Sequence, residues 1–436
     1  MTALNGPILF NSSTGNDSTA SGLGPSVAVI GSSAELDGTS TVDVSFDMAS
    51  LSGISSGDLL FCDTTSGRKF SVIASVDTLS GTITTDDSWG TESGVSWAVG
   101  GKRATFDNAD SRQSFADAKG NWDFQTETNQ TISSTLVFEA SGIISGSSKY
   151  KEIINTSSSP SMKLKYPSGY IQNFHFKCTN ATKGAAFVDG SGGYGGGTCL
   201  DCKLGDDTDT ISSVSQSVNG GGGSPALVNC IVYNTTGTGF NSDVNCVAIN
   251  TLIQDCGGYG VRPQNNADAY LDNCIITGCA SGGVFINSGN GAGSLECRNT
   301  IIYGNLGSGI QLNINGRPSR IFNTVISSNS GYGIYGNIYA ESKIYQPFNF
   351  NICFHNNSLG ETYLFDVARD SITLTADPFT DAANGDFSLN SDAGGGAVLR
   401  AETMVMGSTT TYPFNRLTDG SGGGGSGSAV HPLYAN

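Results

Sequence analysis

The chain has 436 residues, of which 14% are charged and 60 are Gly, and its formal net charge is −17. That balance argues against a nucleic-acid partner, because nothing in it would release counterions from a phosphate backbone. It also disfavours long-range capture of an acidic polysaccharide while leaving room for a local basic patch. Recurrent short runs of Ile, Val, Leu and Phe exclude a disordered chain, and no run of eighteen apolar residues exists to insert in a membrane as a helix.

Residues 1–105 alternate apolar and polar side chains over 51–62, 69–76, 81–86 and 96–99, separated by short Ser- and Gly-containing turns. This pattern predicts a small antiparallel β-domain, with Trp89 and Trp97 as packing residues. The opening residues lack the basic start and apolar core of a signal peptide, so folding in a cytoplasm is expected. Eleven Cys, an odd number without metal-type pairing apart from Cys199 and Cys202, agree with reduced structural thiols. Residues 106–120 form a linker in which 107–118 are expected to make a short helix capping the N-terminal end of a solenoid.

A repeat occupies the middle of the chain. Asn229, Asn250, Asn273, Asn299, Asn323 and Asn351 fall 21, 23, 26, 24 and 28 residues apart, and Asn173 and Asp201 extend the series upstream. Asn suits a bend because it bonds its own backbone and tolerates left-handed conformations. A small residue, Cys or Thr, follows each anchor from Asn229 to Asn323 and then two apolar ones, a short strand entering a core. Six residues past the anchor stand Thr235, Cys256, Cys279, Asn305, Asn329 and Asn357, which can stack from coil to coil. Ten past it stand Gly239, Gly260, Gly283, Gly309 and Gly333, expected to supply a turn that most residues would find strained. Leucine-rich spacing is absent, and a propeller blade needs about 40–45 residues. The period predicts an all-β fold: a parallel β-solenoid of three short strands per turn over residues 121–390, behind the N-terminal β-domain. Residues 391–436 contain a Gly-rich linker at 420–428 and a short tail.

The anchored coils, with Asp377-Pro378-Phe379 and Asn384-Gly385-Asp386-Phe387-Ser388-Leu389, resemble the right-handed parallel β-helix superfamily of pectate lyases, polygalacturonases and bacteriophage tailspikes. In that superfamily the latter stretch looks like the segment that ends the helix. Ser56-Gly57-Asp58-Leu59-Leu60, Arg68-Lys69-Phe70-Ser71-Val72 and Gly81-Thr82-Ile83 are similar to β-domains found in front of β-helices in phage virion proteins. The resemblance implies a homotrimeric tailspike or fibre assembled in a host cytoplasm and anchored to virion tail or head proteins by its N-terminal domain, with the solenoid meeting a host surface polysaccharide. A location on a bacterial surface or outside the cell is the alternative. Because this fold hosts several functions, a polysaccharide lyase or glycosidase and a purely structural capsid or tail decoration stand beside the attachment reading.

Candidate chemistry is sparse. A glycosidase needs two carboxylates about 5–5.5 or 6.5–9.5 Å apart. Asp255 has no second acid in its column, whereas Asp268 and Asp272 are candidates to share a face with Glu296, with the register left open. A lyase needs a base beside a charge neutraliser, for which Arg262 with Tyr270, or His355 with Tyr363, are candidates. Asp206, Asp207 and Asp209 are a candidate Ca²⁺ cluster, with a solvated loop as the alternative, and no cofactor is expected. Tyr233, Tyr259, Tyr303 and Tyr332 fall at turn or strand-edge columns, where they can stack on sugar rings or on a neighbouring subunit.

Overall fold

The computed structural model describes residues 8–10, 16, 21, 23–47 and 51–102, then 122–124, 129–132, 136–138, 143–145, 152–156, 162–164, 170–178 and 188–190. Further along it describes 197–205, 214–218, 226–242, 245–264, 267–287, 293–314, 319–338, 348–364, 371–401, 403–406 and 410–413. The expected capping helix, the Asp206, Asp207 and Asp209 cluster and the Gly-rich tail lie outside these residues. The chain divides into two compact units, 1–176 and 177–436.

In the first unit, six antiparallel strands close into a barrel in the order Val29–Asp37, Thr41–Asp43, Thr82–Thr85, Gly67–Asp77, Leu59–Thr64 and Thr91–Val99. Closure leaves no unpaired edge among them. Alternation points Leu36, Val42, Leu60, Ile73, Ile83 and Trp97 into one core, as period-2 patterning requires. Trp89 is also buried, and its indole Nε1 donates to Thr85 Oγ1 at 2.8 Å. The same unit starts a parallel stack. Ile8–Phe10 pairs with Trp122–Phe124, which pairs with Ile143–Ser145, and that strand pairs with Tyr170–Gln172. The barrel therefore sits in the connection between two neighbouring rungs, and residues 8–10 are a rung themselves.

The second unit is a parallel β-solenoid. Each anchor lies between a first strand, such as Ala269–Asp272, and a second, such as Ile275–Thr277. A third strand, such as Gly282–Asn287, completes the coil. Every strand pairs in parallel with its equivalent one coil away. Around Asn323 and Asn351 the first and second strands merge into Arg320–Ser327 and Phe348–His355.

Two positions per coil take the left-handed conformation. The anchors do so from Asn173 (φ 64°) and Asp201 (53°) to Asn351 (54°). Five residues later Asn234, Asp255, Gly278, Gly304, Ser328 and Asn356 do the same, with φ between 49° and 67°. These two bends bracket the second strand and turn the chain. Gly ten past the anchor has a different task from the strained turn expected of it. A Cβ on Gly260, Gly283 or Gly309 would lie 2.4, 2.6 or 2.6 Å from Cγ2 of Ile276, Ile302 or Ile326 in the following coil. Glycine is there because the core is too narrow for a side chain.

The two apolar residues after each anchor face opposite ways. Val232, Ile253, Ile276, Ile302, Ile326 and Phe354 fill the interior and are fully buried. Their neighbours Leu252, Ile275, Ile301, Val325 and Cys353 point outward, where Leu374, Phe379, Phe387, Leu389 and Leu399 cover them. The stretch expected to end the helix thus packs along its flank. Phe379–Asp381 pairs with Asp386–Leu389 across a turn at Gly385 (φ 87°), and Asp377 Oδ1 accepts from Phe379 N at 2.9 Å.

Polar ladders tie the coils together. Asn250 Nδ2 donates to Asn229 Oδ1 (2.6 Å), Asn273 to Asn250 (2.9 Å), Asn323 to Asn299 (2.7 Å) and Asn351 to Asn323 (3.0 Å). The series skips one rung: Asn299 donates to Asp272 Oδ1 at 2.9 Å instead of to Asn273. A second ladder inside the solenoid runs the other way, from Asn305 Nδ2 to Asn329 Oδ1 and from Asn329 Nδ2 to Asn357 Oδ1, both at 2.9 Å. The ten cysteines whose side chains are described are free and buried. Burial pushes the Cys246, Cys274 and Cys297 thiols up to about 12.

Candidate functional site

The third strands form a parallel sheet of eight strands among the described residues, running from Val188–Gly190 to Gly360–Tyr363. Alternation buries Phe240, Val261, Val284, Ile310 and Ile334 and sends the next residue of each strand outward. Register stacks Asn241 on Arg262, Phe285 on Gln311, Gln311 on Tyr335 and Tyr335 on Tyr363. Three residues earlier, Tyr259 and Tyr332 lie beside this column. The rings meet. Tyr259 stacks on Phe285 with centroids 4.7 Å apart and 26° between planes, and its hydroxyl donates to Gln311 Oε1 at 3.2 Å. Tyr335 stacks on Tyr363 at 5.1 Å and 5°, and Tyr332 lies 5.1 Å from Tyr363 and 6.0 Å from Tyr335.

The result is an aromatic strip on an outer face, broken by one amide and ended by one guanidinium. From Arg262 to Tyr363 it covers four inter-strand steps, about 19 Å at strand spacing. Tyr363 is 40% exposed and Tyr259, Tyr332 and Tyr335 are half-buried, whereas Phe285 is buried against Tyr259, so the tyrosines present their surface and Phe285 supports them. An aromatic ring with a polar tip suits a ligand that is apolar on its faces and hydroxylated at its edges.

Of the four tyrosines named from the sequence, the structure brings Tyr259 and Tyr332 into this strip and leaves two elsewhere. Tyr303 is on the second-strand sheet, edge-on to Phe379 and Phe387 at 5.8 and 5.6 Å, with its hydroxyl donating to Asp377 Oδ2 at 3.3 Å. Burial and then Asp377 push its phenol above the ordinary range. Tyr233 is in register with Gln254 in that same sheet. Sequence reasoning missed Phe285, Gln311 and Tyr335. The signal was present: Asn241, Arg262, Phe285, Gln311, Tyr335 and Tyr363 each stand twelve residues past an anchor.

The acidic candidates gather on the first-strand sheet. Tyr270 is opposite Glu296 and Asp272 opposite Arg298, so Asp272 and Glu296 share an outer face as diagonal neighbours. Both are engaged. Asp272 accepts from Asn299 and, at 3.3 Å, from the Tyr270 hydroxyl. Glu296 pairs with Arg298 and, at 3.8 Å, with Arg320. Burial and the charge of Asp272 push the Tyr270 phenol up, making it a poorer base near neutrality. Asp268 does not join them, since it accepts from Ser294 N and Oγ at 2.8 and 2.9 Å in a turn. Asp255 is exposed at its left-handed bend and accepts from Gln254 Nε2 at 3.1 Å.

Arg262 and Tyr270 lie on different sheets. So do Tyr363 and His355, whose Nδ1 is 3.2 Å from Ser327 Oγ. Among the described residues no group of three or more His, Cys, Asp or Glu side chains is arranged to hold a metal ion.

A family model described as a right-handed β-helix region matches residues 207–373. The solenoid is a right-handed parallel β-helix. Among solved structures, the chain is similar to the A-modules of two Azotobacter vinelandii mannuronan C-5 epimerases. Identity is 14% to each, with TM-scores of 0.38 and 0.36, over 60% and 61% of this chain and 87% and 92% of theirs. It is also similar to the catalytic domain of a GH87 α-1,3-glucanase in complex with nigerose, at 10% identity and a TM-score of 0.32, over 81% of this chain and 89% of that one. Values this low carry no information on what the present chain binds or does. A search of curated protein sequences gives no match.

Proposed function

We propose that this chain is a glycan-binding appendage subunit whose β-helix holds a surface polysaccharide along the strip formed by Tyr259, Phe285, Gln311, Tyr332, Tyr335 and Tyr363. The observation that carries this reading is the outward stacking of those rings over successive coils, at a spacing fixed by backbone hydrogen bonds. A repeating ligand laid along the solenoid axis meets a repeating surface, and rings that already pack on one another lose little freedom when it arrives.

The finer reading is a bacteriophage tailspike- or fibre-like virion protein. It assembles as a homotrimer in the host cytoplasm and is anchored to tail or head proteins through the N-terminal β-domain. The presence of a closed barrel and a parallel solenoid in one chain supports this role. A depolymerase is less well supported, because Asp272 and Glu296 are each bonded to neighbouring side chains of the chain itself.

The test is binding of extracted host-type surface polysaccharide to the purified chain, beside a Tyr335→Ala, Tyr363→Ala variant. Retained binding in the variant overturns the strip. Sedimentation showing a monomer at micromolar concentration overturns the trimer, and antibody labelling that misses the particle overturns the virion assignment.

A further inference from the structure

Arg262 differs from every other described arginine. Arg68 is bonded to Asp63, Arg298 and Arg320 flank Glu296, and Arg400 donates to the carbonyls of Leu389 and Asn390. Arg262 has no hydrogen bond or ion pair among the described residues, and its Nε is buried without a partner. Its guanidinium carbon lies 5.4 Å from the centroid of Phe285, the ring on which Tyr259 stacks. Asn241, its neighbour in register, is occupied by Gln264 Nε2 at 2.7 Å. The remaining described strands of this sheet carry no cation, and Glu361 stands four strands away.

The Arg262 side chain is half-buried, and an Nε–H kept from water without an acceptor is costly. In a chain of net charge −17 a carboxylate partner was readily available, as it is for Arg68 and Arg298. The guanidinium carbon lies over the Phe285 ring, and a planar fork of N–H donors matches a planar two-oxygen acid.

We propose that Arg262 is an acid-reading position at one end of the aromatic strip, so that the glycan carries a sugar carboxylate, as in a uronic acid, seated beside Tyr259 and Phe285. This rests on the glycan-binding reading and names its substrate class. The local cation also meets the objection that net charge raises, since attraction acts only at contact and not over distance.

The experiment has two parts. The first needs no ligand: an arginine with a structural role loses stability on replacement, whereas one reserved for an anion does not. Arg262→Met is expected to melt at the same temperature as the parent chain or higher, and a fall of several degrees overturns the proposal. The second uses oligogalacturonate, oligomannuronate and hyaluronan fragments, each as the free acid and after carboxyl reduction, with a sulfated galactan as a second anion.

At least one acid is expected to bind tenfold or more tightly than its reduced form, with that ratio falling to near one in Arg262→Gln and only partly restored in Arg262→Lys. Equal binding of acid and reduced forms overturns the acid-reading role and leaves the strip intact. Binding of the sulfated galactan alone overturns the carboxylate in favour of a sulfate ester. No binding of any probe in either form at millimolar concentration overturns both readings.

Discussion

The Cγ2 methyl of Ile302 lies 2.6 Å from where a Cβ on Gly283 would stand. The same relation repeats between Gly260 and Ile276 and between Gly309 and Ile326, so the bore of the solenoid is set by one isoleucine filling the space that one glycine vacates. Gly283→Ala is expected to destabilise the chain by about 1–3 kcal/mol through overpacking. Gly304→Ala, at φ 63° with Thr277 Oγ1 3.9 Å away, is expected to cost about 1–2 kcal/mol through backbone strain alone. The urea midpoint of the double variant Gly283→Ala, Ile302→Leu, which lacks the Cγ2 methyl, separates the two causes: relief of the first cost by the changed partner identifies packing.

The inner ladder makes a second prediction. Asn329 is fully buried and its Nδ2 is shared among Asn357 Oδ1, Ile302 O and Ser327 O. Asn329→Leu removes the side-chain donor to these three acceptors and the acceptor of the Asn305 main-chain and side-chain amides, at about 1–3 kcal/mol for each group left unmatched. Chemical denaturation is expected to show a loss well above that for Asn356→Gly, a left-handed position on the outside.

Buried thiols set an alkaline limit. Cys246, Cys274 and Cys297 are neutral in the folded state up to about 12, against an ordinary value of 9.0. Because the folded values are raised, the stability they contribute is complete below pH 9 and is lost as pH climbs from 9 toward 12, where only the unfolded chain ionises. Melting temperature measured across that window should fall, and the fall should be smaller in Cys274→Ala, Cys297→Ala. A flat profile contradicts the burial assigned to these thiols.

The acidic face yields a prediction that separates binding from hydrolysis. Glu296→Gln removes the partner of Arg298 and Arg320, and Asp272→Asn removes the charged acceptor of Asn299. Each should lower the melting temperature modestly and leave glycan affinity within twofold. Shortening of the polysaccharide by the parent chain and its loss in Glu296→Gln would transfer the function to this face.

The anchors are legible because one residue type, Asn, recurs where the backbone bends left-handed, and each column beside them keeps a chemical character. The second bend is not, since Asn234, Asp255, Gly278, Gly304, Ser328 and Asn356 share a conformation and no chemistry. Asp255 reads as an acid in the sequence and is a bend in the structure. The role of the glycine column is hidden for a related reason: sequence shows that a side chain is missing, while only packing shows that Ile276, Ile302 and Ile326 fill the gap. The tyrosines divide by column. Tyr233 and Tyr303 stand four residues past their anchors, Tyr259 and Tyr332 nine, and the fate of Tyr303 depends on Phe379 and Phe387, more than 70 residues downstream, folding back over it.

The most direct test of the central claim is calorimetric titration of a surface polysaccharide against the parent chain, Tyr335→Ala and Tyr303→Ala. The strip predicts that Tyr335→Ala weakens binding at least tenfold, about 1.4 kcal/mol or more, while Tyr303→Ala destabilises the fold and leaves affinity unchanged. Equal binding by the parent chain and Tyr335→Ala, or a loss seen with Tyr303→Ala alone, contradicts it.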